Sequence, residues 1–274
     1  MPGCDGVHIT FLDPQGPVAA QQRTHFLIIL GLMLVVVLPV LVLTPWLAWR
    51  YRYGKHQEYK PEWNFAWTWE IVLWSIPAVI VTVLAVFLWR NTLALDPYRP
   101  LDLPGEPLRV QAVATDWKWL FIYPDLGIAS VDALVFPAER QIALHLTSDT
   151  VMQAFFIPAL GSQIYAMGGM VTRLHLAADA PGRFRGRNTQ YNGLGFHTQR
   201  FEAVALGEGD FAAWLAEARA AAPLDAEAYA VLARAGTAGA AAEALGRTLP
   251  LRFGAVHEGL FARIVSETAE GAGQ

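Results

Sequence analysis

The run THFLIILGLMLVVVLPVLVLTPWLAW, Thr24–Trp49, decides the architecture of this 274-residue chain. It places 26 consecutive residues between Arg23 and Arg50 without a Lys, Arg, Asp or Glu. A second run, IVLWSIPAVIVTVLAVFLW, Ile71–Trp89, places 19 more between Glu70 and Arg90. At about 1.5 Å per residue, helices of these lengths reach roughly 39 and 28 Å, enough to cross a hydrocarbon layer of about 30 Å. Uncharged runs of this length are foreign to soluble domains, so they are read as two transmembrane helices, at about 24–50 and 68–90. Gly31, Pro39 and Pro45 interrupt the first run. Membrane helices tolerate them when neighbouring groups satisfy the freed carbonyls.

Aromatic residues mark where the spans meet the headgroups. Trp46, Trp49, Tyr51 and Tyr53 close the first span, and Trp63, Phe65, Trp67 and Trp69 open the second. Trp89 marks the opposite side. The connecting loop carries Arg50, Arg52, Lys55 and Lys60, while the N-terminal tail carries Arg23 alone and Arg90, Arg99 and Arg109 are spread out after the second span. That bias puts the loop in the cytoplasm and both termini outside. The chain is 54% hydrophobic with a mean hydropathy of +0.31, and its net charge of −4 suggests no nucleic-acid partner.

Outward from the two runs, residues 1–23 form a Pro- and Gly-punctuated tail, expected to be extended. Residues 91–107 form a linker, irregular because Pro97, Pro100, Pro104 and Pro107 cannot donate in a helix or strand. Residues 108–207 change to short alternating segments: Leu108–Ala114, Trp117–Tyr123, Gln141–Thr147, Met170–Leu176 and Phe201–Leu206. Several short strands between Pro/Gly turns imply a β-sandwich or barrel. Residues 208–274 are Ala-rich and helical. Asp210 is placed to cap a helix to about Ala222, Asp225 to cap the next, and residues 250–268 to form a last amphipathic piece.

Few residues offer chemistry. The single cysteine, Cys4, precedes the first span, where a lipid could be attached; a folded domain without cysteine cannot hold a thiolate-bridged metal. No basic, then apolar, secretory segment precedes Cys4. The seven histidines show no metal-ligand spacing, and His145 and His175 sit between leucines on predicted strands. No nucleophile elbow, phosphate-cradling loop or carboxylate pair stands out. Glu70, at the mouth of the second span, has two readings. It is an acid favoured by the helix dipole, or a proton-loading carboxylate at a membrane boundary. Asp116-Trp117-Lys118-Trp119, with Phe121 and Tyr123, is either a strand whose alternate aromatics fill a core or a contact surface.

These residues resemble subunit II of the haem–copper terminal oxidases, in the bo-type ubiquinol oxidase branch. The matching motifs are Gly31-Leu-Met-Leu, Glu70 with Trp74 and Pro77, Asp116-Trp-Lys-Trp, Phe121-Ile-Tyr-Pro124 and Gly127-Ile-Ala. The longest runs from Phe155-Phe-Ile-Pro-Ala-Leu-Gly-Ser-Gln-Ile-Tyr-Ala-Met167 through Met170 to Thr172-Arg-Leu-His-Leu176. The resemblance covers nearly the whole chain.

The resemblance implies a membrane-anchored α+β fold: a transmembrane hairpin, a cupredoxin-like β-sandwich and a helical C-terminal extension. In the cytochrome c oxidase branch the sandwich holds two coppers on two histidines, two bridging cysteines, a methionine and a glutamate carbonyl. Those positions fall here on Gln153, on Asn188, Gln190 and Asn192, on Phe196 and on Gln199. His197 is one residue off. The expectation is therefore no metal or other cofactor in this chain, with haem and copper in subunit I, and quinol rather than cytochrome c as donor. The resemblance further implies a structural subunit of a proton-pumping respiratory complex in the bacterial inner membrane, with the sandwich on the periplasmic side. Its partners would be subunit I, other oxidase subunits and membrane lipid, with ubiquinol the substrate of the complex. Glu70 corresponds to a glutamate near a proton channel into subunit I. Trp117 and Trp119 are expected to pack against subunit I, and Cys4 corresponds to a lipidated mature N-terminus. The alternatives are a copper-free, membrane-tethered cupredoxin-like binding module and a cytochrome c oxidase subunit II.

Overall fold

A computed structural model describes residues 11–52, 65–161 and 163–271. Cys4, Lys55, Lys60, Tyr53 and Trp63 lie outside the described residues. The chain divides into two compact units, Arg23–Asp96 and the remainder.

The first unit is helical. Helix α1, Pro17–Arg50, and helix α2, Trp67–Ala94, both carry long apolar windows with mean hydropathies of 3.3 and 2.7. Both are long enough to cross a membrane. Their half-buried residues include His25, Leu32 and Val36 on α1 and Ile80, Leu84, Phe87 and Asn91 on α2. His25 meets Phe87 edge-on at 5.3 Å. Toward Arg50 and Trp67 the side chains are exposed, Glu70 being half-buried.

The second unit begins with a correction to the tail. The helix starts at Pro17, not near residue 24, and the segment before it is pinned to the sandwich. Gln15 N–H donates to the Ala159 carbonyl at 2.8 Å, and Asp179 N–H donates to the Gln15 carbonyl at 3.0 Å. A Cβ on Gly16 would lie 2.2 Å from the Ala177 oxygen, so only glycine allows this approach. Pro17 then suits the first helical position, where its missing N–H costs nothing.

From Leu108 the chain builds two sheets. Strands β1 (Leu108–Thr115), β2 (Lys118–Tyr123), β3 (Ile128–Val131), β4 (Ala133–Pro137), β5 (Ile142–Ser148) and β6 (Gln153–Phe156) are followed by β7 (Ile164–Ala166), β8 (Thr172–Leu176), β9 (Gly182–Asn188) and β10 (Arg200–Leu206). A short strand β11, Arg252–Phe253, comes from the C-terminal extension. One sheet has the order β11-β3-β2-β1-β5-β8 and the other β4-β10-β9-β6-β7. The β1–β5 and β4–β10 pairs are parallel, the rest antiparallel. Phe155 stacks on Phe201 at 4.9 Å between the sheets, with Trp119 edge-on to Phe155 at 5.2 Å and Phe121 tilted to Phe201 at 5.3 Å. Tyr123 anchors the neighbouring edge: its hydroxyl donates to the Val135 carbonyl and accepts the Val135 N–H. Burial pushes its phenol pKa well up.

Strand β2 is buried at every position. Alternation would leave Leu120 and Ile122 in water, yet the extension covers them. Helices α3 (Glu208–Arg219), α4 (Ala226–Ala233), α5 (Ala238–Ala244) and α6 (Leu260–Gly271) follow β10. Leu224, Leu232, Leu251, Phe253, Phe261 and Ile264 pack with Val113, Leu120, Ile122 and Val131 in a second apolar core. Asp225 does cap α4, accepting the Ala228 N–H at 2.8 Å. Asp210 is no cap: α3 starts at Glu208 after Gly207, and Asp210 lies in its first turn. Nor do residues 250–268 form one helix. Phe253 and Arg252 pair with Ala129 and Ser130, and the helix begins only at Leu260.

A buried cation ties the extension down. Lys118, 2% exposed, donates from Nζ to the carbonyls of Arg234 at 2.7 Å, Gly236 at 3.0 Å and Asp116 at 3.3 Å. Those three acceptors use all three ammonium protons. Burial pushes the Lys118 pKa down, against the pull of Asp132 and Asp116. Asp132, in a left-handed conformation at the β3–β4 crossing, accepts the Trp119 N–H at 2.7 Å; burial raises its carboxyl to about 7.

Candidate functional site

The loops at one end of the sandwich bring together residues far apart in sequence. Gln153 opens β6, Asn188 closes β9, Asn192 lies in the following loop and Gln199 precedes β10. Gln199 is the hub. Its carbonyl oxygen accepts from Asn188 Nδ2 at 2.9 Å and Asn192 Nδ2 at 2.8 Å. Its Nε2 donates to Gln153 Oε1 at 2.5 Å and the Thr115 carbonyl at 3.3 Å. That fills all four of the amide's hydrogen-bonding places. Gln153 Nε2 donates to the Thr115 carbonyl and Thr150 Oγ1, both at 3.2 Å, and Thr150 Oγ1 donates to Asp116 Oδ1 at 2.9 Å. Asn188 Oδ1 accepts the N–H groups of Ala154 and Gln190, both at 2.9 Å.

Of the six singled-out positions, four meet as side-chain amides: Gln153, Asn188, Asn192 and Gln199. Gln190 joins through its backbone, its carbonyl accepting from Asn188 Nδ2 at 2.8 Å. Phe196 stands apart, tilted against Tyr191 at 5.8 Å. His197 is exposed, with Nδ1 3.2 Å from the Leu194 carbonyl. Thr115, Thr150 and Asp116 complete the cluster; the isolated threonines carry no signal in the sequence, and Asp116, though part of the Asp116-Trp117-Lys118-Trp119 motif, has no spacing that ties it to the amides.

The two tryptophans separate. Trp119 is a core residue, 0% exposed, and cannot reach a partner surface; the expectation of a subunit contact fails for it. Trp117 sits at the β1–β2 turn with φ +71°, uncommon for a bulky side chain. Its Nε1 donates to the Asn192 carbonyl at 3.3 Å. Its ring lies flat on Gly195, where an added Cβ would be 2.0 Å away. The indole thereby clips the β9–β10 loop over the amide cluster. That loop displays Tyr191 and Leu194, 69% and 88% exposed.

Glu70 lies in the first turn of α2, where the exposed N–H groups and helix dipole favour an acid. Its Oε2 accepts the Trp74 indole N–H at 3.1 Å, one turn along the helix.

The sandwich matches the family described as "Cytochrome C oxidase subunit II, periplasmic domain" over residues 128–202. A solved periplasmic domain of cytochrome oxidase subunit II (CoxB) of Bradyrhizobium japonicum aligns with 25% identity and a TM-score of 0.40, covering 42% of this chain and 95% of its own. The family model matches the sandwich alone. Relatives that match most of the chain show the family. The "Cytochrome bo(3) ubiquinol oxidase subunit 2" of Pseudomonas aeruginosa is 47% identical over 80% of this chain and 66% of its own length. The "Ubiquinol oxidase subunit 2" of Acetobacter aceti is 41% identical over 83% and 76%. The "Quinol oxidase subunit 2" of Bacillus subtilis is 37% identical over 81% and 69%. The chain belongs to the quinol oxidase subunit 2 family. It spans about two thirds of the length of the Pseudomonas relatives it matches.

A thiolate-bridged copper pair does not fit these residues. Bridging needs soft, anionic sulfur. The positions hold a phenylalanine and neutral carboxamides, most of whose polar atoms bond within the cluster, Asn192 Oδ1 being the buried one without a partner.

Proposed function

We propose that this chain is the membrane-anchored subunit 2 of a proton-pumping ubiquinol oxidase, holding no redox centre of its own. The observation that carries the reading is the cluster of neutral amides at Gln153, Asn188, Asn192 and Gln199, where the copper-bearing branch needs thiolates and imidazoles. Electrons then bypass this sandwich; haem and copper reside in subunit I, which oxidises quinol and reduces oxygen. The chain's part is structural, with Tyr191 and Leu194 on the loop that meets a partner and Trp117 clipping that loop from the β1–β2 turn. The α1–α2 loop is cytoplasmic and the sandwich periplasmic, in keeping with Arg50 and Arg52 after the first span. Cys4 is the site of a lipid anchor.

The test is donor specificity together with metal content. The purified complex consumes oxygen with ubiquinol and not with reduced cytochrome c, and this chain, separated from it, carries no copper. Two coppers per chain, or a stable haem-free protein that copurifies with no oxidase subunit, would overturn the reading.

Glu70 gives the chain its second part: a carboxylate at the cytoplasmic mouth of a proton path into subunit I. Ionisable groups at such boundaries mark ion pathways. Glu70→Gln keeps the size and a Trp74 contact but cannot carry the proton. Turnover of the assembled complex falls about 10-fold or more, in the range of lost general acid–base groups. Unchanged turnover would leave Glu70 a helix-dipole residue only.

A further inference from the structure

We propose that Trp74 and Pro77 carry the Glu70 proton path one turn deeper into the membrane: Trp74 holds the carboxylate on the helix face of Leu73 and Pro77 leaves the Leu73 carbonyl open as the next acceptor. The inference rests on the proton reading of Glu70.

Residues 70, 73, 74 and 77 fall at i, i+3, i+4 and i+7 and share one helix face. An acid in the first turn is ordinarily drawn back toward the free N–H groups at the helix start, the headgroup side. Here the Trp74 N–H, 3.1 Å from Glu70 Oε2, instead holds it on the face shared with Leu73 and Pro77. Four residues amount to about 6 Å of rise. Pro77 lies within α2 and has no N–H to donate to the Leu73 carbonyl. In an otherwise closed helical ladder that leaves one acceptor open, just beyond the carboxylate. In hydrocarbon an open carbonyl is costly unless water or a neighbour satisfies it.

A water bridging Glu70 and the Leu73 carbonyl meets the need of both. Glu70 takes a proton from the aqueous side and gives it to this water, held by its hydrogen bond to the Leu73 carbonyl, and the water passes one proton on to an acceptor in subunit I. The carboxylate is restored and the water returns neutral. Leu73 is 65% exposed and Trp74 74%, so α1 does not close this face; its half-buried contacts lie nearer Phe87 and Asn91.

The test uses the purified oxidase complex in vesicles, reading turnover, the KM for quinol, proton uptake and thermal stability. Trp74→Phe lowers kcat about 3- to 10-fold without changing KM, and Trp74→His, which keeps an N–H donor, recovers most of it. Pro77→Ala restores the helical bond to Leu73, so stability is kept or raised while proton uptake slows by a similar factor. Adding Pro77→Ala to Glu70→Gln slows the enzyme no further, because both act on one path. If Glu70→Gln slows turnover but Trp74→Phe and Pro77→Ala do not, this proposal falls and the Glu70 reading stands. If Glu70→Gln itself has no effect, both fall. Should Pro77→Ala not assemble, the contrast between Trp74→Phe and Trp74→His decides alone: equal rates overturn the proposal.

Discussion

Gln199→Leu lowers the stability of the sandwich by about 3 to 5 kcal/mol, roughly 10 °C in midpoint for a domain of this size. The volume is nearly kept, so the loss is polar. Asn192 Nδ2 and Gln153 Oε1 lose the partner they find in Gln199, while Asn188 Nδ2 keeps the Gln190 carbonyl and the Thr115 carbonyl keeps Gln153 Nε2. A buried group stripped of its partner costs about 1 to 3 kcal/mol. Thermal melts of the full chain in detergent measure the change, and hydrogen exchange places it. Protection falls first at residues 188–199. A loss under about 1 kcal/mol would show the amides to be incidental neighbours rather than the replacement for a metal as the tie between loops.

The second large effect falls on Lys118. Lys118→Met removes an ammonium held by the carbonyls of Arg234, Gly236 and Asp116. Asp116 keeps a bond from the Gly236 N–H at 3.3 Å, but the Arg234 and Gly236 carbonyls lose the cation. Hydrogen bonds to charged groups contribute about 1.5 to 3 kcal/mol each, and relief of the buried charge returns part of that. The net is a destabilisation of about 2 to 4 kcal/mol, concentrated at the α4–α5 junction. Limited proteolysis reads it directly, because cleavage between residues 233 and 238 accelerates while the strands stay protected. Unchanged cleavage would mean that the apolar core under the extension suffices without the lysine.

Much of the fold was legible because its signals are local. Charge-free runs exposed the two spans, and period-two alternation located β1, β2, β5, β8 and β10. Where the reading failed, a distant partner decided. Trp117 and Trp119 share parity, so alternation puts both on one face. The left-handed backbone at Trp117 ends that face, and only Trp119 enters the core. β11 has two residues, too few for any period, and exists because β3 offers an edge. The α3 cap was misplaced because Gly207 has no side chain to reveal it. The amide cluster joins positions 38, 46 and 84 residues apart, and no spacing of lone Gln and Asn announces such a meeting. Only the resemblance pointed to those positions, and the structure added that they bond to each other.

The layer of helices over β2 has a consequence for biogenesis. Leu120 and Ile122 are made early, but the side chains that shield them run to Ile264. A chain emerging N-terminus first must therefore hold a bare, greasy sheet for the synthesis of about 140 further residues, many seconds at about 5–20 residues per second. Helix α6 seals that face. A product stopped short of Leu260 has every strand and still presents a sticky face, which marks it for aggregation or quality control before it can join an assembly.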